Sequence, residues 1–88
     1  DYTEAIRLDH PQLAWAYGAR GTAYAVMGEH QRAIEDKTEA IRLNDAQARL
    51  DPKRLNSGYY FSRAVTYEAM GLHKEAARDF AKAKELGY

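Results

Sequence analysis

Three histidines, His10, His30 and His73, are the first residues of this 88-residue chain that could do chemistry. A bound metal would need several of them in one coordination sphere. His30 and His73 stand at matching points of a repeated pattern, each two residues after a glycine. Matching points of stacked repeats lie about a repeat width apart, too far to share an ion. His10 sits beside Pro11, and no His-x3-His or carboxylate spacing supports zinc. The reading is therefore surface histidine. The carboxylates Glu29, Glu35, Asp36 and Glu39 are mixed with Arg32, Lys37 and Arg42. Arg32 with Asp36, and Glu39 with Arg42, are opposite charges at helical spacing, while Glu35 and Glu39 are a like-charge pair. Such solvated pairs are worth about a few tenths of a kcal/mol. General acid–base catalysis needs a water-poor cleft, and this pattern makes none. Ser57 and Ser62 have no histidine near them in the sequence to activate a nucleophile. The glycines are spaced singly, not as a phosphate-cradling loop. These residues argue against an enzyme and against a resident metal or cofactor. Arg20 and Arg63 stay open. Each stands just before a small residue, and each can either bridge to a neighbouring helix or meet a ligand's carboxylate or phosphate.

The elements that position these residues are helical throughout. Asp-Tyr-Thr-Glu-Ala-Ile-Arg-Leu at residues 1–8 returns as Asp-Lys-Thr-Glu-Ala-Ile-Arg-Leu at 36–43, and a weaker copy runs from Asp79 to Leu86. Self-similarity at this period marks a repeat array, an architecture used mainly for binding. Tyr17, Gly21, Tyr24 and Gly28 share one helix face, and Tyr60, Ala64, Tyr67 and Gly71 repeat it. Gly28 and Gly71 each follow a methionine at a helix end, where glycine accepts the left-handed conformation. Ala33, Ile34, Ala40 and Ile41 form the apolar stripe of the next helix, with Ala76, Ala77, Phe80 and Ala83 as its counterpart. Five helices are predicted: Asp1 to about Leu8, Gln12–Met27, Glu29–Arg49, Asn56–Met70 and His73–Leu86, the last capped by Gly87. Gly21, Ala33, Ala64 and Ala76 let the paired helices approach, and the tyrosines fill the gaps as buried aromatics worth about 2–3 kcal/mol each.

Composition narrows the partners. Acidic and basic residues balance at 13 each, so no long-range field draws the chain to nucleic acid or to an anionic membrane. No apolar stretch approaches the roughly 18 residues of a spanning helix. There is no cysteine, and the compartment stays open between cytosol and periplasm. The sequence opens inside a helical pattern, with no initiating Met and no secretory signal, as a segment of a longer protein would.

The joint spacing resembles the tetratricopeptide repeat, a helix-turn-helix unit of about 34 residues. That family places a large aromatic, a small residue four later and an aromatic three after that, matched by Tyr17-Gly21-Tyr24 and Tyr60-Ala64-Tyr67. Its turn glycine matches Gly28 and Gly71, and its small residue early in the second helix matches Ala33 and Ala76. The later aromatic matches Tyr2 and Phe80, and the alanine after it matches Ala5, Ala40 and Ala83. The resemblance implies an all-α fold, a short right-handed α-solenoid of about two and a half units. Residues 1–10 would be the second helix of a truncated repeat. Residues 12–50 would be a complete repeat with an extended second helix, and 52–88 another complete repeat.

Three departures stand out. Lys37 occupies the aromatic position of the middle repeat. The family's closing proline is absent at Asn44-Asp45. The two complete repeats are 43 residues apart, so nine are inserted. Leu43, Ala46 and Leu50 keep helical spacing, which predicts a second helix about two turns longer, ended by Pro52, with a longer loop before Tyr59; the alternative is an irregular loop from Asn44 to Ser57. Lys37 would lay its stem over apolar neighbours with the ammonium in water, or the insertion would leave the aromatic socket unclosed.

In this family the first helix of each repeat lines the concave face. The resemblance therefore assigns partner binding to Trp15, Gly18, Thr22 and Val26, then Phe61, Ser62, Val65 and Glu68. Members that bind acidic chaperone tails carry lysine, asparagine and arginine at such positions, and none stands here. The groove is small and apolar, and Trp15 and Phe61 either serve as aromatic anchors for a peptide or helix of a protein partner or pack against loops or a neighbouring helix of the same chain. The alternative is self-association or array spacing through the ends. Tyr2, Ile6 and Leu8 of the first helix, and Phe80 of the last, would then form the interface.

Overall fold

The computed structural model describes residues 13–47 and 52–88, with side chains placed for 14–44 and 56–88. They form α1 (Leu13–Val26), α2 (His30–Gln47), α3 (Pro52–Ala69) and α4 (His73–Glu85). There is no strand among them. The expected first helix, with Tyr2, Ala5, Ile6 and Leu8, lies outside the described residues, as do His10 and the side chains of Ala46 and Leu50.

The turns follow from glycine. Gly28, Gly71 and Gly87 have φ of 81°, 78° and 105°, where a Cβ would be strained. Each closes its helix by the same pair of bonds. Glu29 N–H donates to the Tyr24 carbonyl at 2.9 Å and Gly28 N–H to Ala25 at 3.0 Å. Leu72 to Tyr67 at 2.9 Å and Gly71 to Glu68 at 3.0 Å repeat them, and so do Tyr88 to Ala83 at 2.9 Å and Gly87 to Lys84 at 3.1 Å. These are Schellman closures, which satisfy carbonyls that the helix leaves over. The short turns fold α2 back on α1 and α4 back on α3, and α2 packs on α3 to join the hairpins. The described residues form a short α-solenoid of helix-turn-helix units.

Alanine dominates the interior. Ala14, Ala16, Ala33, Ala40, Ala64, Ala76 and Ala83 are buried together with Ile34 and Ile41. Gly21 brings α1 and α2 closest: a Cβ there would stand 3.1 Å from the Ala33 carbonyl oxygen, from Asp36 Cβ and from Lys37 Cγ. The tyrosines depart from expectation. Tyr17, Tyr24, Tyr60 and Tyr67 are half-buried, not sealed. Their inner neighbour is an arginine. The Arg20 guanidinium lies 5.5 Å from the Tyr17 ring centre and 5.7 Å from that of Tyr24. Arg63 sits the same way between Tyr60 and Tyr67, at 5.3 and 5.8 Å.

Both arginines then reach across their hairpin. Arg20 grips the buried Asp36 with two bonds of 2.7 and 2.9 Å. Arg63 holds the buried Asp79 at 2.6 and 2.8 Å. Of the two readings left open for these arginines, the geometry selects the bridge to the neighbouring helix. Bidentate forks in a partly dry setting are strong and geometrically exacting. Hydrogen bonding to Asp36 and to Asp79 raises the pKa of Arg20 and Arg63 above its ordinary value. Arg63 also donates to Thr38 Oγ1 at 3.0 Å, linking the second hairpin to α2 of the first.

The insertion lengthens helices. α2 has 18 residues against 13 in α4. α3 begins at Pro52, ahead of the expected Asn56, so residues 52–58 are helical up to Tyr59; the expected ending of the preceding helix at Pro52 falls on residues 48–51, outside the described residues. Proline suits a first helical position, since its missing N–H has no partner there in any case. Across the same junction, the buried Asn44 donates from Nδ2 to Oδ1 of the buried Asn56 at 3.0 Å.

Candidate functional site

The face formed by α1 and α3 carries the residues to which the sequence assigns binding. Trp15, Gly18, Thr22 and Val26 follow one another at helical spacing along α1, and Phe61, Val65 and Glu68 do so along α3. Trp15 is 56% exposed, Val65 49% and Val26 83%. Thr22 and Glu68 are exposed, and Phe61 and Ser62 are half-buried. Glu68 is tied to His73 Nδ1 across the turn into α4. Gly18 is buried. A Cβ on it would stand 2.6 Å from Tyr59 Cε1, so the Tyr59 ring lies directly over it.

Phe61 meets its own repeat. Its ring packs edge-on against Phe80 with centroids 5.3 Å apart, and Tyr88 stacks on it at 4.3 Å and 10°. Phe80 is accordingly half-buried. The closure at Gly87 aims Tyr88 back toward α3.

The matching place in the first hairpin is built differently. Gly18 stands where the second hairpin has Phe61, and Lys37 stands where it has Phe80. Lys37 is only 2% exposed. Its ammonium does not reach water along a snorkelling stem, and no open socket surrounds it. It donates to Thr22 Oγ1 at 3.4 Å and, more closely, to Ser62 Oγ. Burial lowers its pKa from the ordinary 10.5. Among the described residues no carboxylate pairs with it, because the adjacent Asp36 is spent on Arg20. Burial likewise raises the Tyr59 hydroxyl pKa above its usual 10.0.

Two of the predicted binding residues, Thr22 and Ser62, are thus brought together through a third that the sequence reading left out. The signal was the alignment of the two hairpins, which sets Gly18-Lys37 against Phe61-Phe80 and leaves a hole that Tyr59 fills. The linear sequence does not reveal that the lysine points at two hydroxyls, one on each neighbouring first helix.

No family model matches the chain. It is similar to the mitochondrial import receptor subunit TOM70 of Mus musculus and of Rattus norvegicus, 35% identical to each over 86 residues. The human protein of that name is 36% identical over 81 residues. The matches cover 98% of the chain for the rodent proteins and 90% for the human one, but 13% of each relative's own length.

Proposed function

We propose that the chain is a protein–protein interaction scaffold, presenting the face of α1 and α3 as a groove for a peptide or helix of its partner. The observation that carries this reading is the row of exposed apolar side chains Trp15, Val26 and Val65 on those two helices. Large exposed apolar side chains gathered on one face are the usual mark of a docking surface. The relatives bear the name of a receptor subunit, a role exercised by binding, and this supports the same class of action here.

Trp15 is the aromatic anchor, and Val65 shapes the opposite wall. Phe61, beneath Tyr88, serves as floor of the groove, and a ligand reaches its ring by displacing Tyr88. The test is a random dodecapeptide selection on the chain, followed by calorimetric titration of the recovered peptides. Removing one such anchor should cost about 1–3 kcal/mol of binding. The double variant Trp15→Ala, Val65→Ala should therefore bind these peptides at least tenfold more weakly, with its helix content intact. Unchanged affinity in that variant would move the binding site off this face.

A further inference from the structure

Lys37 is a buried cation for which the fold supplies no anion among the described residues. Its counterpart Phe80 shows that the helix-turn-helix unit does not need a charge at this point. The residues next to them, Asp36 and Asp79, perform the same bridging task in both hairpins. The exchange of a ring for a cation therefore falls where α2 looks out between α1 and α3. A buried ammonium without a counter-charge lowers stability, so its presence points to an anion that the described residues do not supply.

The hydroxyls around Lys37 say from which side. Thr22 already donates its proton to the Gly18 carbonyl at 3.2 Å, so it can only accept from the ammonium. Ser62 also accepts from Lys37, but its own hydroxyl proton has no acceptor among the described residues. Ser62 is half-buried on α3 and is therefore reachable. An ammonium behind a hydroxyl polarises that O–H and strengthens it as a donor. The arrangement is a cationic relay: Lys37 donates to Ser62, and Ser62 offers a proton outward.

We propose that the Lys37–Ser62 pair, buttressed by Thr22, is the anion-recognising point of the α1–α3 face, and that it takes a carboxylate from an otherwise apolar partner segment. The carboxylate accepts the Ser62 proton, and the ammonium behind it provides the charge that α1 and α3 lack at this point. This rests on the groove reading above. It adds that the partner is acidic at one place, with apolar residues beside it for Trp15 and Val65.

The experiment compares peptides selected from one random dodecapeptide library on the chain, on Lys37→Met and on Ser62→Ala. Circular dichroism first confirms that each variant is helical, and Ser62→Ala serves should Lys37→Met not fold. Selection on the unaltered chain should enrich Asp or Glu beside apolar residues, and both variants should lose that enrichment while still recovering apolar peptides. Replacing the selected acid by its amide should weaken binding to the chain by about tenfold or more, as expected for one charge-assisted bond. The same replacement should leave binding to Lys37→Met unchanged. Equal acidic content in all three pools, or an amide replacement without effect on the chain, overturns the anion site and leaves the groove standing. Recovery of no peptide at all by the chain overturns both.

Discussion

Replacing Lys37 with methionine should make the protein more stable. Methionine keeps the unbranched stem that runs past Gly21, so the close approach of α1 and α2 is undisturbed. What disappears is an ammonium on a side chain only 2% exposed, with two neutral acceptors. Replacing buried charge by well-fitting apolar groups is neutral or favourable by about 1–4 kcal/mol. Against this stand two lost charge-assisted bonds. Their acceptors suffer little, because Thr22 is exposed and still donates to Gly18, and the half-buried Ser62 can turn to water. The net expectation is a gain of about 1–2 kcal/mol, or roughly 4–16 °C in melting temperature for a domain of this size.

The pH dependence gives a second handle on the same change. The folded-state pKa of Lys37 lies below its value in the unfolded chain, so the penalty is complete below that folded value, where both states are charged. It fades as pH climbs through the folded value towards 10.5, because there the unfolded chain holds the proton that the native state has released. Urea melts of the two proteins, run in parallel at neutral pH and near pH 10.5, read this directly. The advantage of Lys37→Met should be largest at neutral pH and shrink at the alkaline end, with equal m values. Taking the difference cancels the titration of the seven tyrosines. A variant that loses about 1 kcal/mol or more at neutral pH would refute the reasoning, for the ammonium would then be holding the hairpins together.

Two further substitutions probe the frame. Arg63→Leu leaves Asp79 buried and unpaired and frees Thr38, so it should cost about 3–5 kcal/mol by urea denaturation. The double variant with Asp79→Leu should recover most of that loss, and no recovery would mean that the fork is not the source. Gly18→Ala drives a methyl into the Tyr59 ring and should cost about 1–3 kcal/mol, but under 1 in a Tyr59→Ala background; equal costs in the two backgrounds would show that the ring does not lie over Gly18.

Much of the frame was legible because it depends on local chemistry. Gly28, Gly71 and Gly87 were readable as helix ends since a left-handed residue is required there, whatever packs around it. The hairpins followed from helical periodicity, and the spacing of Arg20 and Arg63 already allowed a bridge to the next helix. Pro52 was ambiguous on physical grounds: the ring that stops one helix also suits the first turn of another. The tyrosines were over-buried in expectation, because each pair shares its face with an arginine whose guanidinium lies near both rings. Lys37 was the hardest to place. Its hydroxyl partners stand 15 residues before it and 25 after it, and only the packing of three helices brings them together.

An interior made chiefly of alanine has a calorimetric consequence. The heat-capacity increment of unfolding grows with newly hydrated apolar surface and falls with newly hydrated polar surface. Alanine contributes little of the former, while the buried Arg–Asp forks and the Asn44–Asn56 contact contribute the latter. The increment per residue should therefore fall below the usual figure of about 12–15 cal/mol/K. A small increment flattens the dependence of folding free energy on temperature, so whatever margin the protein has is held nearly evenly from cold to warm.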